Sequence, residues 1–413
     1  MGKPLIEKII AQHTAEPVEA GRIVWMDLDV RSARDFAGAN VVKNYRTHYN
    51  GTPVADASKT MFTFDCNVPA NTIPYANNQQ ICRVFAREQN LKVFDVNAGI
   101  GSHVMIDEGL CGPGDTVVGT DSHLNILGAI GCFGQGMGDL DIAFAFKTGR
   151  TWFEVPETIR ITLTGNPSPQ ASAKDMILAV LRHMGPNRAI GRAVEFYGPA
   201  VDALTLDGRI TFASMVTEMS GIIGLLVPSD SILDELRALT GRTYPKMVPD
   251  TDVAYVDDVV VDVDNLPPLI ACPPSPTDVV PVNELPKVVV DSIFIGSCTN
   301  GRGEDLRLVA QLVRGHRVAS HVMAKIVPAT RKIYSELLRD GTLNTLFEAG
   351  FIISHPGCGG CASGQIGMTG KGEVQVSTSN RNFAGKQGDG DTYLASPATA
   401  AASALAGYIT SAQ

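Results

Sequence analysis

Three cysteines constrain this chain more than any other feature. Cys358 and Cys361 share a short loop, Pro-Gly-Cys-Gly-Gly-Cys, and Cys298 lies 60 residues earlier in Gly-Ser-Cys-Thr-Asn. A Cys-x2-Cys loop brings two thiolates close enough to share one metal centre, while the third must be delivered by folding. The delivering segment is legible: residues 287–296 are apolar and β-branched and predict a strand, and a helix is expected from about Glu304. A strand–loop–helix unit puts its loop at the carboxyl edge of a sheet, where open α/β folds bind ligands. The N-terminus of the following helix favours anions. Three thiolates on a cubane iron–sulfur cluster leave one iron free to act on substrate, whereas four suit electron transfer. On spacing alone zinc competes equally, because His355 stands three residues before Cys358 and would complete a Cys3His set. An incidental or redox cysteine pair is a further alternative.

The rest of the chain alternates strand-like and helix-like segments, which points to α/β layers. At 413 residues, two to four domains are expected. The punctuation Asn166-Pro-Ser-Pro places one boundary near 165. The Asp-, Val- and Pro-rich stretch 249–285 places another near 285, giving units 1–165, 166–285 and 286–413. Strands are expected at 115–120 and 157–163, and helices at about 140–153, 171–184 and 230–239. The Ala-rich segment 396–407 reads as a packed helix capped by Ser396 with Pro397 in its first turn.

Composition narrows the function classes. With 44% hydrophobic and 19% charged residues the chain has ample material for packed cores. A net charge of −9 argues against a general nucleic-acid binder. The remaining cysteines (Cys66, Cys82, Cys111, Cys132, Cys272) show no disulfide framework, so a cytoplasmic location with reduced thiols is expected. The opening residues read as a short amphipathic helix and not as a signal peptide, and no apolar run suits a membrane span.

Asp121-Ser122-His123 follows the strand at 115–120. Alone, the tripeptide is most simply a turn with capping duties; a carboxylate beside an imidazole can also set a tautomer and move a proton. The Gly131–Gly138 run matches neither dinucleotide nor P-loop patterns and reads as tight packing behind that turn.

Taken together, Gly-Thr-Asp-Ser-His (119–123), Gly-Ser-Cys-Thr-Asn-Gly-Arg (296–302), Pro-Gly-Cys-x-x-Cys (356–361) and Ser-Thr-Ser-Asn-Arg-Asn-Phe-x-Gly (377–385) resemble, in this order, the aconitase family of hydro-lyases. Trp152-Phe-x-Val-Pro-Glu and Leu394-Ala-Ser-Pro-Ala-Thr-Ala-Ala extend the likeness over most of the chain. The resemblance implies three-layer α/β/α domains with one [4Fe-4S] cluster per chain between them, ligated by Cys298, Cys358 and Cys361. It makes His355 a neighbour and not a ligand. It assigns Asp121, His123, His103, Asp65 and Glu218 to the catalytic set. It places a small hydroxy di- or tricarboxylate against Arg381, Lys386, Ser122, Arg302 and Asn380. A guanidinium fork suits a carboxylate, and Lys386 keeps the charge but not the fork of the family's usual arginine.

The chain also departs from the family pattern. Cys66 stands where relatives have histidine after Asp65, Arg34-Asp35-Phe36-Ala37 replaces His-Asp-Gly-Thr, and Ser214 replaces asparagine. These changes point to an altered substrate with the cluster intact. The swivelling last domain, with its serine base, does not occur in these residues, which implies a separate small subunit as partner. An apo-cluster iron sensor that binds RNA is the alternative of another class, and the acidic charge and lack of a basic run speak against it.

Overall fold

The computed structural model describes residues 2–361 and 365–412. Three largely parallel sheets and one antiparallel ribbon organise them. The first sheet runs Lys92–Phe94, Thr60–Thr63, Val30–Arg34, Thr116–Gly119, Phe133–Gly136, all parallel. The second runs Ile223–Leu226, Ala193–Tyr197, Thr158–Thr164, Asp257–Asp262, again parallel. The third runs Val279–Pro281, Leu269–Ala271, Asp391–Ala395, Val374–Ser377, Ser292–Ile295, Met323–Ile326, Ile352–Ile353, parallel except at the Leu269–Ala271 pairings. The strands Thr60–Thr63, Thr116–Gly119, Ile223–Leu226 and Ser292–Ile295 are buried at every position, as expected where both faces of a sheet are covered.

Several helices form where sequence places them: Ala173–Met184, Asp230–Thr240, Gly303–Val313 and Pro397–Ala406. In the last, Ser396 Oγ accepts from the Thr399 N–H at 3.4 Å, and Pro397 occupies the first turn. The helix expected to run to Phe153 stops at Thr148. Gly149 adopts a left-handed conformation (φ 71°) and turns the chain into Arg150–Glu154, which pairs antiparallel with Ile23–Asp27. The strand expected over 287–296 is shorter, Ser292–Ile295. The backbone at Val288 and Val290 instead bonds the C-terminal segment at Ile409 and Gly407.

The seven-residue helix Leu5–Ala11 would be marginal alone. It is held because Leu5, Ile6, Ile9 and Ile10 are fully buried, each contributing roughly 1.5–3 kcal/mol. Among the described residues, no helix is long and apolar enough to cross a membrane.

What positions the site is strand polarity. In the first sheet, Arg34 ends one strand, Asp65 follows the next by two residues, and Asp121 follows a third by two. In the third sheet, Cys298, Cys358 and Asn380-Arg381 leave strands at the same edge. The two carboxyl edges meet: Cys358 N–H donates to Asp65 C=O at 2.8 Å, and Ile100 N–H donates to Ala329 C=O at 2.8 Å.

Candidate active site

The turn that presents Cys298 depends on Gly296. Its φ of 149° and an ideal Cβ only 2.5 Å from Val327 O leave room for glycine alone. A buried Ser297 with φ 70° completes the sharp exit from the strand. On the facing sheet, a Cβ on Gly136 would lie 2.4 Å from Asp121 O, so the glycine-rich run is packed directly behind the Asp-Ser-His turn.

Arg34, Asp121, Ser122, His123, Cys298, Cys358, Cys361, Arg381 and Lys386 line one recess, with about 380 Å³ of empty space partly open to solvent. Asn380 bridges two of the thiols: its Nδ2 donates to Cys298 Sγ at 3.3 Å, and its Oδ1 lies 3.7 Å from Cys361 Sγ. Arg381 Nε donates to Glu218 Oε1 at 2.9 Å, and the same oxygen meets His123 Nε2 at 3.0 Å. His123 N–H donates to Asp121 Oδ1 at 2.9 Å, and its Nδ1 is 3.3 Å from Ser122 Oγ. The imidazole is therefore oriented from both ends, by a carboxylate on one nitrogen and a hydroxyl on the other.

Charge is arranged unevenly. Burial pushes Asp121 up, but Arg34 and His123 outweigh it and hold this carboxyl below its ordinary range. Asp65 is fully buried, and burial raises it to about 6 against the opposing pull of Arg34. Its Oδ2 accepts from Gly101 N–H at 2.8 Å. His103 is fully enclosed behind Cys298, its Nε2 3.0 Å from the Cys298 carbonyl; burial and then Arg302 push it down to about 4. At neutral pH the set thus holds an anionic Asp121 beside a neutral His103.

Arg302, expected against substrate, is not brought to the recess. It donates to Asp107 at 2.8 Å and Asp207 at 2.7 Å; Arg302 and Asp107 are buried and Asp207 is half-buried. Two carboxylates engage the fork, so it ties the helices Gly101–Asp107 and Leu206–Met215 to the turn after Cys298.

The donor set suits an iron–sulfur cluster. All described cysteines are free, and Cys298, Cys358 and Cys361 are all buried. His355 is exposed and stands outside the recess, so a Cys3His zinc set does not assemble. The three sulfurs also stand too far apart for a single ion. Among the described residues, only Asp65, Cys66 and Cys358 offer three ligand atoms within 4.8 Å of one another. A single zinc ion draws its sulfurs to roughly 3.8 Å apart at Zn–S bonds of about 2.3 Å. The Arg34 guanidinium occupies the Asp65–Cys66–Cys358 trio, 2.6 Å from Cys358 Sγ, and a second cation there would be repelled.

Sequence reading missed two residues that build this site. Arg34 was visible only as a departure from pattern. Lys174 was not singled out, though it lies on an amphipathic helix in Ser-Ala-Lys-Asp. It is fully buried, and its Nζ donates to Ser379 C=O at 2.7 Å and Thr378 C=O at 3.2 Å. It thus fixes the backbone that carries Asn380 and Arg381. Ser214, another departure, donates to Thr211 C=O at 2.8 Å and lies 3.3 Å from Thr299 Oγ1, against the turn after Cys298.

The family profile described as Aconitase family (aconitate hydratase) matches residues 7–407. The 3-isopropylmalate dehydratase large subunit 1 of Methanopyrus kandleri is 40% identical, with 99% of each chain covered. The homoaconitase large subunit of Thermus thermophilus is also 40% identical, over 99% of this chain and 97% of that protein. In fold, the chain is similar to the holo-form of Thermococcus kodakaraensis aconitase X, with a TM-score of 0.54, 13% identity, and 86% and 84% of the two chains covered.

Proposed function

The chain belongs to the aconitase family, and on that premise we propose that it is the large subunit of an iron–sulfur hydro-lyase, 3-isopropylmalate dehydratase. It interconverts 2- and 3-isopropylmalate by dehydration and rehydration, a step of amino-acid (leucine) biosynthesis. The observation that carries the reading is the convergence of three buried thiols, an oriented Asp121–His123–Glu218 set and the cations Arg381 and Lys386 in one recess. Full-length relatives named as large subunits of this enzyme support it.

In this reading Cys298, Cys358 and Cys361 hold one [4Fe-4S] cluster per chain. When bound, the cluster supplies an open iron as Lewis acid toward the substrate hydroxyl and one carboxylate. The chain's own residues do the rest. Arg381 and Lys386 bind carboxylates, with Arg381 braced by Glu218. His123, held by Glu218 and Ser122, moves the proton on the hydroxyl side, and anionic Asp121 holds its backbone N–H. His103 stays neutral and, through Cys298 C=O, orients the cluster loop. The proton-abstracting serine comes from a small subunit that carries the swivelling domain, and nucleic acid has no part. Cytoplasmic residence belongs to the same reading, in which none of the cysteines is tied into a disulfide.

The test is anaerobic reconstitution with the small partner, followed by turnover of isopropylmalate, homocitrate, citrate, dimethylmalate and methylmalate. Interconversion of the isopropylmalates is expected. Turnover of homocitrate alone would move the protein to the homoaconitase branch that its relatives include. Iron-loaded protein that turns over none of these acids would refute the assignment.

A further inference from the structure

We propose that Arg34 is a positioning residue that sets the reduction potential and air stability of the cluster by donating a fixed hydrogen bond to the Cys358 sulfur. This rests on the reading of Cys358 as a cluster ligand.

Arg34 ends the strand Val30–Arg34, and its own N–H donates to Thr120 Oγ1 at 2.9 Å. The side chain is 11% exposed and makes three bonds to three separate segments. Nε donates to Asp65 Oδ1 at 2.7 Å, Nη1 to Asp121 Oδ1 at 2.8 Å, and Nη2 to Cys358 Sγ at 2.6 Å. A guanidinium is planar and rigid, so two carboxylates on two of its nitrogens decide where the third nitrogen points. Here that direction is the sulfur. The bond crosses from the first sheet to the cysteine loop of the third, beside the backbone bond from Cys358 N–H to Asp65 C=O. The sulfur thus has its place and its partner fixed together.

The chemical consequence follows from electrostatics. Reduction adds an electron that is shared over the cluster and its ligand sulfurs. A donor hydrogen and a fixed positive charge against one of those sulfurs stabilise the electron-rich state and raise the potential. Without them the cluster gives up an electron more readily and oxygen attacks it faster. The departure of Arg34 from the family's usual residue therefore bears on cofactor robustness, and not only on substrate choice. It also explains why this cation is not free to bind a substrate carboxylate.

The test compares Arg34→Gln and Arg34→Lys with the unchanged chain, each reconstituted anaerobically with the small partner. Potentials are read by dithionite titration followed by electron paramagnetic resonance, and air stability by the decay of the cluster's visible absorbance. Arg34→Gln is expected to shift the potential negative and to shorten the half-life in air several-fold. Arg34→Lys is expected to shift it less in the same direction, because one ammonium keeps the charge but cannot reach both carboxylates and the sulfur. A cluster-loaded Arg34→Gln with an unchanged potential overturns the inference and leaves the functional reading standing. If Arg34→Gln does not fold, Arg34→Lys decides alone, and an unchanged potential in it overturns the inference. An unchanged chain that takes up iron but shows no cubane signal brings down the functional reading itself, and this inference with it.

Discussion

Replacing Lys174 by methionine should remove one buried group's contribution to the pH dependence of stability. Lys174 is fully buried, and burial lowers its amine from 10.5 to about 7. Between those values the unfolded chain holds a proton that the folded chain has lost, so stability rises with pH across the window and is at its lowest below about 7. Each pH unit is worth about 1.4 kcal/mol, so raising the pH from about 6 to about 9 should stabilise the native chain, through this group, by about 3 kcal/mol. The neutral amine still carries two N–H bonds, enough for Thr378 and Ser379 C=O. In Lys174→Met both carbonyls lose their donor, at roughly 1–3 kcal/mol each. At acid pH this loss is offset because no cation is buried any longer. The variant should therefore lie close to the unchanged chain near pH 6 and fall behind it by about 3 kcal/mol more near pH 9. Urea unfolding followed by circular dichroism at both pH values measures the gap, and common titrations of other groups cancel in the comparison. A gap that does not change with pH would show that the lysine keeps its proton in the folded chain, and would refute the reasoning.

Cys358→Ser should lose bound iron after anaerobic reconstitution while His355→Ala keeps it; metal analysis of the two proteins decides, and bound zinc that is lost in the histidine variant would revive the zinc set. Arg302→Met leaves the buried Asp107 and the half-buried Asp207 without their cation and should cost about 3–5 kcal/mol, read as a lowered unfolding midpoint. In Gly136→Ala the added methyl meets Asp121 O, so the Asp-Ser-His turn must shift. Turnover should fall far more than stability, and comparison of kcat with the thermal midpoint tests this.

Much of the site could be read in advance because its motifs are local. Cys358 and Cys361 share one loop, and Asp121, Ser122 and His123 share one turn. Ser396 caps its helix with an oxygen three residues from the N–H it accepts. Each constellation is set by neighbours in the chain, so residue order is enough to recognise it. The helix that stops at Thr148 marks the limit even locally. The residues up to Phe153 carry no strong breaker beyond Gly149, and the pairing of Arg150–Glu154 with Ile23–Asp27 depends on a strand over a hundred residues away.

Roles decided by distant contacts could not be read in this way. Arg34 reaches Cys358 across 324 positions, Lys174 reaches Ser379 across 205, and Arg302 reaches Asp107 across 195. From order alone Arg302 looked like a substrate anchor and Arg34 like an anomaly. Packing exchanged their positions, enclosing Arg302 between two carboxylates and placing Arg34 at the cysteine sulfur. The order of residues determined which thiols, carboxylates and imidazoles this protein has, and on which strand ends they stand. Which of its buried cations stay free, and which are consumed by a partner, was settled only when the carboxyl edges of two sheets came together. A long flexible side chain carries no record in its own sequence of the acceptor it will meet.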